Sequence, residues 1–216
     1  MENTVMSHMN QRNATAPGIG GFVAAFLLAW LALVLVFGAR GAFVAPQGAP
    51  PLGLLIGLLA PLSFFLLGYL VVRPLREFVL SADLRVIVGI QAWRWAGLGF
   101  LTLYTYKILP GIFAFPAGLG DMAIGATAPL VLNNLLRRPN FAASKSFIAW
   151  NLSGILDLTV AVSIGAVVPL IAPQLYGTVS MSPMTQLPLV LIPAFLVPGF
   201  LMLHLTALLQ ARHLAK

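Results

Sequence analysis

Six stretches of the chain stay apolar over about 20 residues, the length of helix needed to cross a bilayer: 19–38, 52–72, 95–115, 117–136, 147–172 and 187–210. Polar and charged side chains gather in the short connectors between them. The pattern predicts an all-α fold, a polytopic membrane helix bundle of six transmembrane helices over 19–210, with a polar tail at 1–18 and a short basic tail at 211–216. The third and fourth stretches are parted almost only by Pro116, so they read as a tight helical hairpin.

Two connectors carry more structure than a turn. Residues 76–94 mix Glu77, Asp83, Arg85 and Gln91 with apolar side chains. This spacing predicts an amphipathic helix over 77–92 on the membrane surface, with Trp93 and Trp95 as interfacial anchors. A plain connector and an early start to the third helix stay open beside it. The uncharged stretch 169–188, rich in Pro, Ser, Thr and Met, reads as an external lid or as a passive loop.

The first apolar run has one basic residue, Arg12, ahead of it and exceeds the about 7–15 residues of a secretory h-region. It reads as an uncleaved anchor, although Phe43-Val44-Ala45 offers a small-residue cleavage pattern.

Composition agrees with the span pattern. Of 216 residues 60% are hydrophobic and only 8% charged, against about 25% charged in soluble domains. A soluble, disordered or collagen-like chain is excluded. The net charge of +7 does not point to nucleic acid, because the basic residues sit singly or in pairs in the connectors, where they set topology. With the N-terminus in the cytoplasm, Arg12, Arg73, Arg76, Arg85, Arg94, Arg137, Arg138, Lys145, Arg212 and Lys216 fall inside and Arg40 alone outside, with Lys107 in a span. Both termini are therefore placed in the cytoplasm.

The absence of cysteine removes disulfides, thiol catalysis and Cys-based metal sites. His8, His204 and His213 lie too far apart in sequence to form a close ligand pair. No metal and no cofactor are predicted, a single haem ligand at His204 being weighed and set below a buried, hydrogen-bonded histidine.

Candidate chemistry comes from ionisable residues inside the spans, each costing roughly 2.5–3.5 kcal/mol to insert at mid-membrane. Helical rise places Lys107, Asp121 and Asp157 in the outer half of the bilayer and His204 in the inner half. Gly118, Asp121, Gly125 and Ala128 share one helix face, as do Asn151, Gly154, Asp157, Ala161 and Gly165. Small residues admit a neighbouring helix, so both aspartates face protein. Tyr104, Lys107 and Gly111 share a face of the third span, which Pro110-Gly111 should kink.

These positions predict a polar cluster of Lys107, Asp121, Asn151 and Asp157, with Tyr104 and His204 as secondary members. Either it is an architectural ion pair, or it is a proton or ion relay in which Asp157 titrates, Lys107 is its charge partner and Asp121 gives external access. A polar cavity for a head group or a small solute is a further option. In the last span, Pro193 and Pro198 followed by Gly199 remove backbone donors and should bend or break the helix. A faint echo relates Gly57–Leu62 to Gly125–Leu130, each helix later ending at Arg-Pro.

Two enzyme patterns fail on their motifs. Ser153-Gly154 with His204 resembles the layout of rhomboid proteases, yet the Gly-x-Ser-Gly motif reads Asn151-Leu-Ser153-Gly154. Asp121 and Asp157 resemble an aspartyl intramembrane pair, but Leu156-Asp157 stands where Tyr-Asp is required. No catalytic residue is assigned.

The stretch Leu109-Pro110-Gly-Ile-Phe113-Ala114-Phe-Pro116-Ala117-Gly118-Leu-Gly120-Asp121, with Trp150-Asn151-Leu-Ser-Gly154-Ile-Leu-Asp157, resembles a family of uncharacterised bacterial multi-pass membrane proteins with no known activity. The resemblance implies a bacterial cytoplasmic (inner) membrane location. The leading functional expectation is a small transporter or permease-like protein, with proton coupling as one form of it. The alternatives are a non-catalytic subunit or structural protein of a larger complex and, third, an intramembrane enzyme. The bilayer is the partner implied directly, a homo-oligomer or larger membrane complex stays open, and nucleic acid is not a partner.

Overall fold

The computed structural model describes residues 18–46 and 48–215; the polar tail with His8 and Arg12, together with Lys216, lies outside them. The described residues are all-α. Helices α1 (Ile19–Ala39), α2 (Leu52–Val71), α4 (Leu84–Thr105), α5 (Gly111–Arg137), α6 (Lys145–Ile171) and α7 (Ile192–Leu214) are each long and apolar enough to cross a membrane. The seventh, α3 (Arg73–Ser81), is short.

Successive long helices run antiparallel. Arg73, Arg76, Arg85, Arg137, Arg138, Lys145 and Arg212 lie at one end, the basic end. The connectors 40–51, 106–110 and 172–191 lie at the other, the loop end. The surface is apolar: Phe22, Leu28, Phe64, Leu70 and Val71 are all more than 60% exposed. The largest buried side chains include Arg94, His204, Gln91 and Asn151. Apolar outside and polar inside is the distribution a lipid solvent favours, since a polar group turned to hydrocarbon has no partner.

Two corrections concern the third and fourth spans. Asp83 accepts a hydrogen bond from the Arg85 amide at 2.8 Å and caps a helix that begins at Leu84. The third span therefore starts eleven residues before Trp95, and the amphipathic surface helix shrinks to α3. Arg76 of α3 donates to the carbonyls of Tyr69 and Leu70, which α2 leaves unpaired where Pro74 enters the next helix. Buried Gln210 of α7 donates to Val79 O and Ala82 O, both at 2.8 Å, and ties the α3–α4 joint to the last helix.

The break between the third and fourth spans falls at 106–110, not at Pro116. Pro110 biases Leu109 out of the helical region and cannot donate itself, so α4 closes in a turn with Lys107 at φ 56°. Pro116 lies inside α5. In α7, Pro193 and Pro198 produce one wide π-helical turn, Ile192–Leu196, and the helix then continues to Leu214. The prolines widen this helix without breaking it.

Four apolar clusters fill the interior. One, near the basic end, joins Ile87, Val88, Ala128, Val131, Phe147, Ala207 and Ala211. A second, toward the loop end, joins Phe100, Leu109, Phe113, Ala114, Ala117 and Met184. Trp30, Val34, Phe43, Val190 and Ala194 hold α1 to the start of α7. Leu58, Leu158 and Val197 join α2, α6 and α7.

Candidate functional site: a buried arginine between two carboxylates

A layer of polar side chains separates the basic-end cluster from the loop-end cluster. Its centre is Arg94, whose side chain is 0% exposed. Arg94 Nε donates to Asp121 Oδ1 at 2.7 Å, Nη2 donates to Asp157 Oδ2, and Nη1 lies 3.1 Å from His204 Nε2. Three nitrogens of one planar guanidinium thus tie α4 to α5, α6 and α7. No lysine could do this, because its donors radiate from a single atom.

The network assigns the His204 tautomer. A guanidinium can only donate, so Nε2 accepts and Nδ1 carries the proton. Nδ1 then donates to Asn151 Oδ1 at 2.9 Å, and Asn151 Nδ2 donates to Phe147 O at 2.9 Å. His204 is therefore a neutral imidazole joining α7 to α6. The Trp150 ring packs edge-on against it at 5.6 Å, and Trp150 Nε1 donates to Thr127 Oγ1 at 2.9 Å.

Local sequence makes room for this layer. Residues Ala92–Gly97 of α4 form a 3-10 helix, whose backbone approaches α5 where Gly97 meets the Gly118 carbonyl and Gly125 meets Trp95. Any Cβ at Gly154 would overlap the His204 ring, and one at Gly120 would overlap the Asp157 carboxylate. The small residues are thus the sockets of the polar side chains.

With both carboxylates ionised, the layer holds one positive and two negative charges and sums to −1. One proton or one monovalent cation would neutralise it. Among the described residues no three His, Asp or Glu side chains form a metal-binding group; Asp121, Asp157 and His204 converge on a guanidinium instead. Gln91, one turn toward the basic end, is fully buried beside Phe200, and its Oε1 meets no protein donor.

A cavity of about 650 Å³ leads to this layer from the loop end. Segments 44–46, 48–51 and 173–185 form its mouth, and its walls come from α2, α4, α5, α6 and α7. Counted from the loop end, the lining reaches as far as Leu58 on α2, Asp121 on α5, Leu158 on α6 and Val197 on α7. Asp121 is 17% exposed while Arg94 behind it is sealed. The 169–188 connector thus covers the cavity in part, with Tyr176, Met181 and Met184 among the lining.

The structure brings Asp121, Asn151, Asp157 and His204 into one network and leaves Lys107 and Tyr104 outside it. Lys107 is exposed at the loop-end turn because α4 ends before it. Tyr104 packs against Phe115 at 4.9 Å and is 41% exposed. Arg94 takes the place given to Lys107 as charge partner, since starting the helix at Leu84 carries residue 94 to mid-span. Asp121 also moves, lying ten residues into α5, level with the middle of the bundle. A signal for Arg94 was present: two aspartates facing protein need a cation, and Arg can bridge both.

No curated protein and no solved structure matches the chain. A family model does match, from the connector before α2 to the last turns of α7, and over these residues, 50–212, the chain belongs to the family described as Domain of unknown function (DUF8737).

Proposed function

We propose that the protein is a small permease-like transporter of the bacterial cytoplasmic membrane, proton-coupled through the Arg94–Asp121–Asp157 layer. In this reading α1, α2 and α4–α7 cross the bilayer with both termini in the cytoplasm. The corrected helix bounds keep the charge bias: nine basic residues fall inside, against Arg40 and Lys107 outside. The loop end is then external.

The observation that carries the reading is the cavity with a charged floor: about 650 Å³ open to one side, ending on Asp121 at mid-bundle. The Ile87–Phe147–Ala207 cluster seals the other side. One-sided access to a buried ionisable layer is what an alternating-access carrier needs in its outward state. The π turn of α7, beside the cavity, is the element able to shift register on switching. Asp157 is the proton carrier in this scheme and Asp121 the residue that meets the cavity. Arg94 holds both and is not itself a carrier.

The test is a reconstituted assay. Proteoliposomes with an internal pH dye receive organic cations, organic anions and neutral solutes in turn. Wild type should move protons with at least one class, and Asp157→Asn should not. That variant leaves Arg94 paired with Asp121 and takes the layer from −1 to 0, so it retains its fold.

A second reading has its own observation: Arg94 is fully enclosed and three of its nitrogens are already bonded. Here the layer is a register lock, in a structural protein or complex subunit. It predicts that Asp157→Asn loses stability and that no solute produces a proton signal.

A further inference from the structure

The cavity chemistry narrows the ligand class, and the inference rests on the permease reading above. We infer that the cavity binds a lipophilic monocation, a hydrophobic compound with one positive centre, which seats that centre at Asp121. Three features point the same way.

The first is charge. Among the described lining residues Asp121 is the only Asp, Glu, Lys, Arg or His. The guanidinium that partly balances it is fully enclosed and does not line the cavity. A solute entering from the mouth therefore meets an acceptor and not the donor. The layer's charge of −1 reinforces this, and a dry surrounding strengthens it further.

The second is the lack of donors at depth. Below the mouth the walls are Leu58, Phe100, Phe113, Ala161, Val162 and Val197, none of which can donate a hydrogen bond. Anions, zwitterionic amino acids and sugars would lose hydration with nothing to replace it. Thr178, Ser180, Ser182 and Thr185 lie only at the mouth.

The third is softness and size. Phe100, Phe113, Tyr176, Met181 and Met184 line the cavity. Aromatic faces and thioethers accept both apolar groups and a cationic centre. A volume of about 650 Å³ is that of sites for drug-sized molecules, not for an inorganic ion. Binding such a cation at Asp121 brings the layer to zero charge, as a proton on Asp157 does, so the two exclude each other through the charge of the layer.

Equilibrium binding of radiolabelled tetraphenylphosphonium to the purified full chain in detergent tests this, with tetraphenylborate as the anionic comparator of the same shape. Wild type should bind the cation saturably and one per chain, with the borate failing to compete. Asp121→Asn should weaken the cation by at least about tenfold. Ala166→Trp places an indole in the cavity more than two helical turns from Asp157 and should abolish binding, which keeps the test decisive if Asp121→Asn misfolds.

The inference is overturned if wild type shows only unsaturable partitioning, if tetraphenylborate competes equally, or if Ala166→Trp binds as wild type does. Binding in detergent needs no gradient, so its outcome is independent of the proteoliposome assay. Binding without flux refutes transport, and flux of another class without binding refutes the ligand.

Discussion

Arg94→Met isolates the residue on which the bundle converges. Methionine keeps an unbranched apolar stem of similar reach and removes the charge and all donors. The Arg94 side chain is 0% exposed and its partners Asp121 and Asp157 are 17% and 15% exposed, so water can take over only a small part of its role. Removing one partner of a buried ion pair costs about 3–5 kcal/mol. Two carboxylates left facing one space, with His204 Nε2 losing its donor, favour the upper part of that range. For a chain of this size about 1 kcal/mol moves the melting temperature by roughly 2–4 °C, so the expected drop is roughly 6–20 °C. The assay is thermal unfolding in dodecyl maltoside followed by tryptophan fluorescence, with Trp150 reporting from its contact with His204. The triple variant Arg94→Met, Asp121→Asn, Asp157→Asn carries no charge in the layer and should recover most of the loss. An Arg94→Met protein melting within about 2 °C of wild type would refute the argument, because it would mean that the carboxylates already have another counter-charge or full hydration.

Three further outcomes are expected. Gly154→Ala places a methyl group into an imidazole bonded at both nitrogens; it should cost about 1–3 kcal/mol, measured in the same melt, whereas Gly199→Ala meets open space and should show no steric penalty. Lys107→Gln, at an exposed turn, should stay within about 0.5 kcal/mol of wild type, and a loss like that of Arg94→Met would restore Lys107 as the charge partner. Burial pushes the Tyr176 hydroxyl from its ordinary value near 10 up to about 12, and it donates to Ile164 O. The folded pKa being the higher, Tyr176 stabilises the docking of the connector on α6 below pH 10 and ceases to as pH rises through 12. An absorbance titration at tyrosinate wavelengths should lose its latest component in Tyr176→Phe.

Much of the interior could be read from residue types alone. Asp121, Asn151, Asp157 and His204 stand out because each is costly in lipid, and the faces carrying Gly118, Gly125 and Gly154 show where helices meet. The partner was hidden by its neighbours. Gln91 and Arg94, flanked by Trp93 and Trp95, have the composition of an interfacial anchor, and Arg85 dilutes the start of the third span. The helix boundary that resolves this rests on one side chain, Asp83, capping at Leu84. Pro116 and Pro110 are equally plausible breaks by composition. Only Pro110 has a glycine after it and a left-handed residue available shortly before it, and choosing Pro116 shifts Lys107 into the span and Arg94 out of it. The cavity has no signature in sequence, because its walls come from five helices and two distant connectors.

A cavity open at the loop end reaches the Arg94 layer, while the Ile87–Phe147–Ala207 cluster packs the basic end. The chain has no cysteine, so single cysteines can be placed without background. Ala161→Cys and Val162→Cys lie on the cavity wall, and Ala207→Cys lies in the basic-end seal. Intact cells would be treated with a membrane-impermeant cationic methanethiosulfonate, and modification read by mass spectrometry of the purified protein. The first two should be modified from outside and Ala207→Cys should not. Protection of Ala161→Cys and Val162→Cys, or equal modification of Ala207→Cys, would contradict one-sided access.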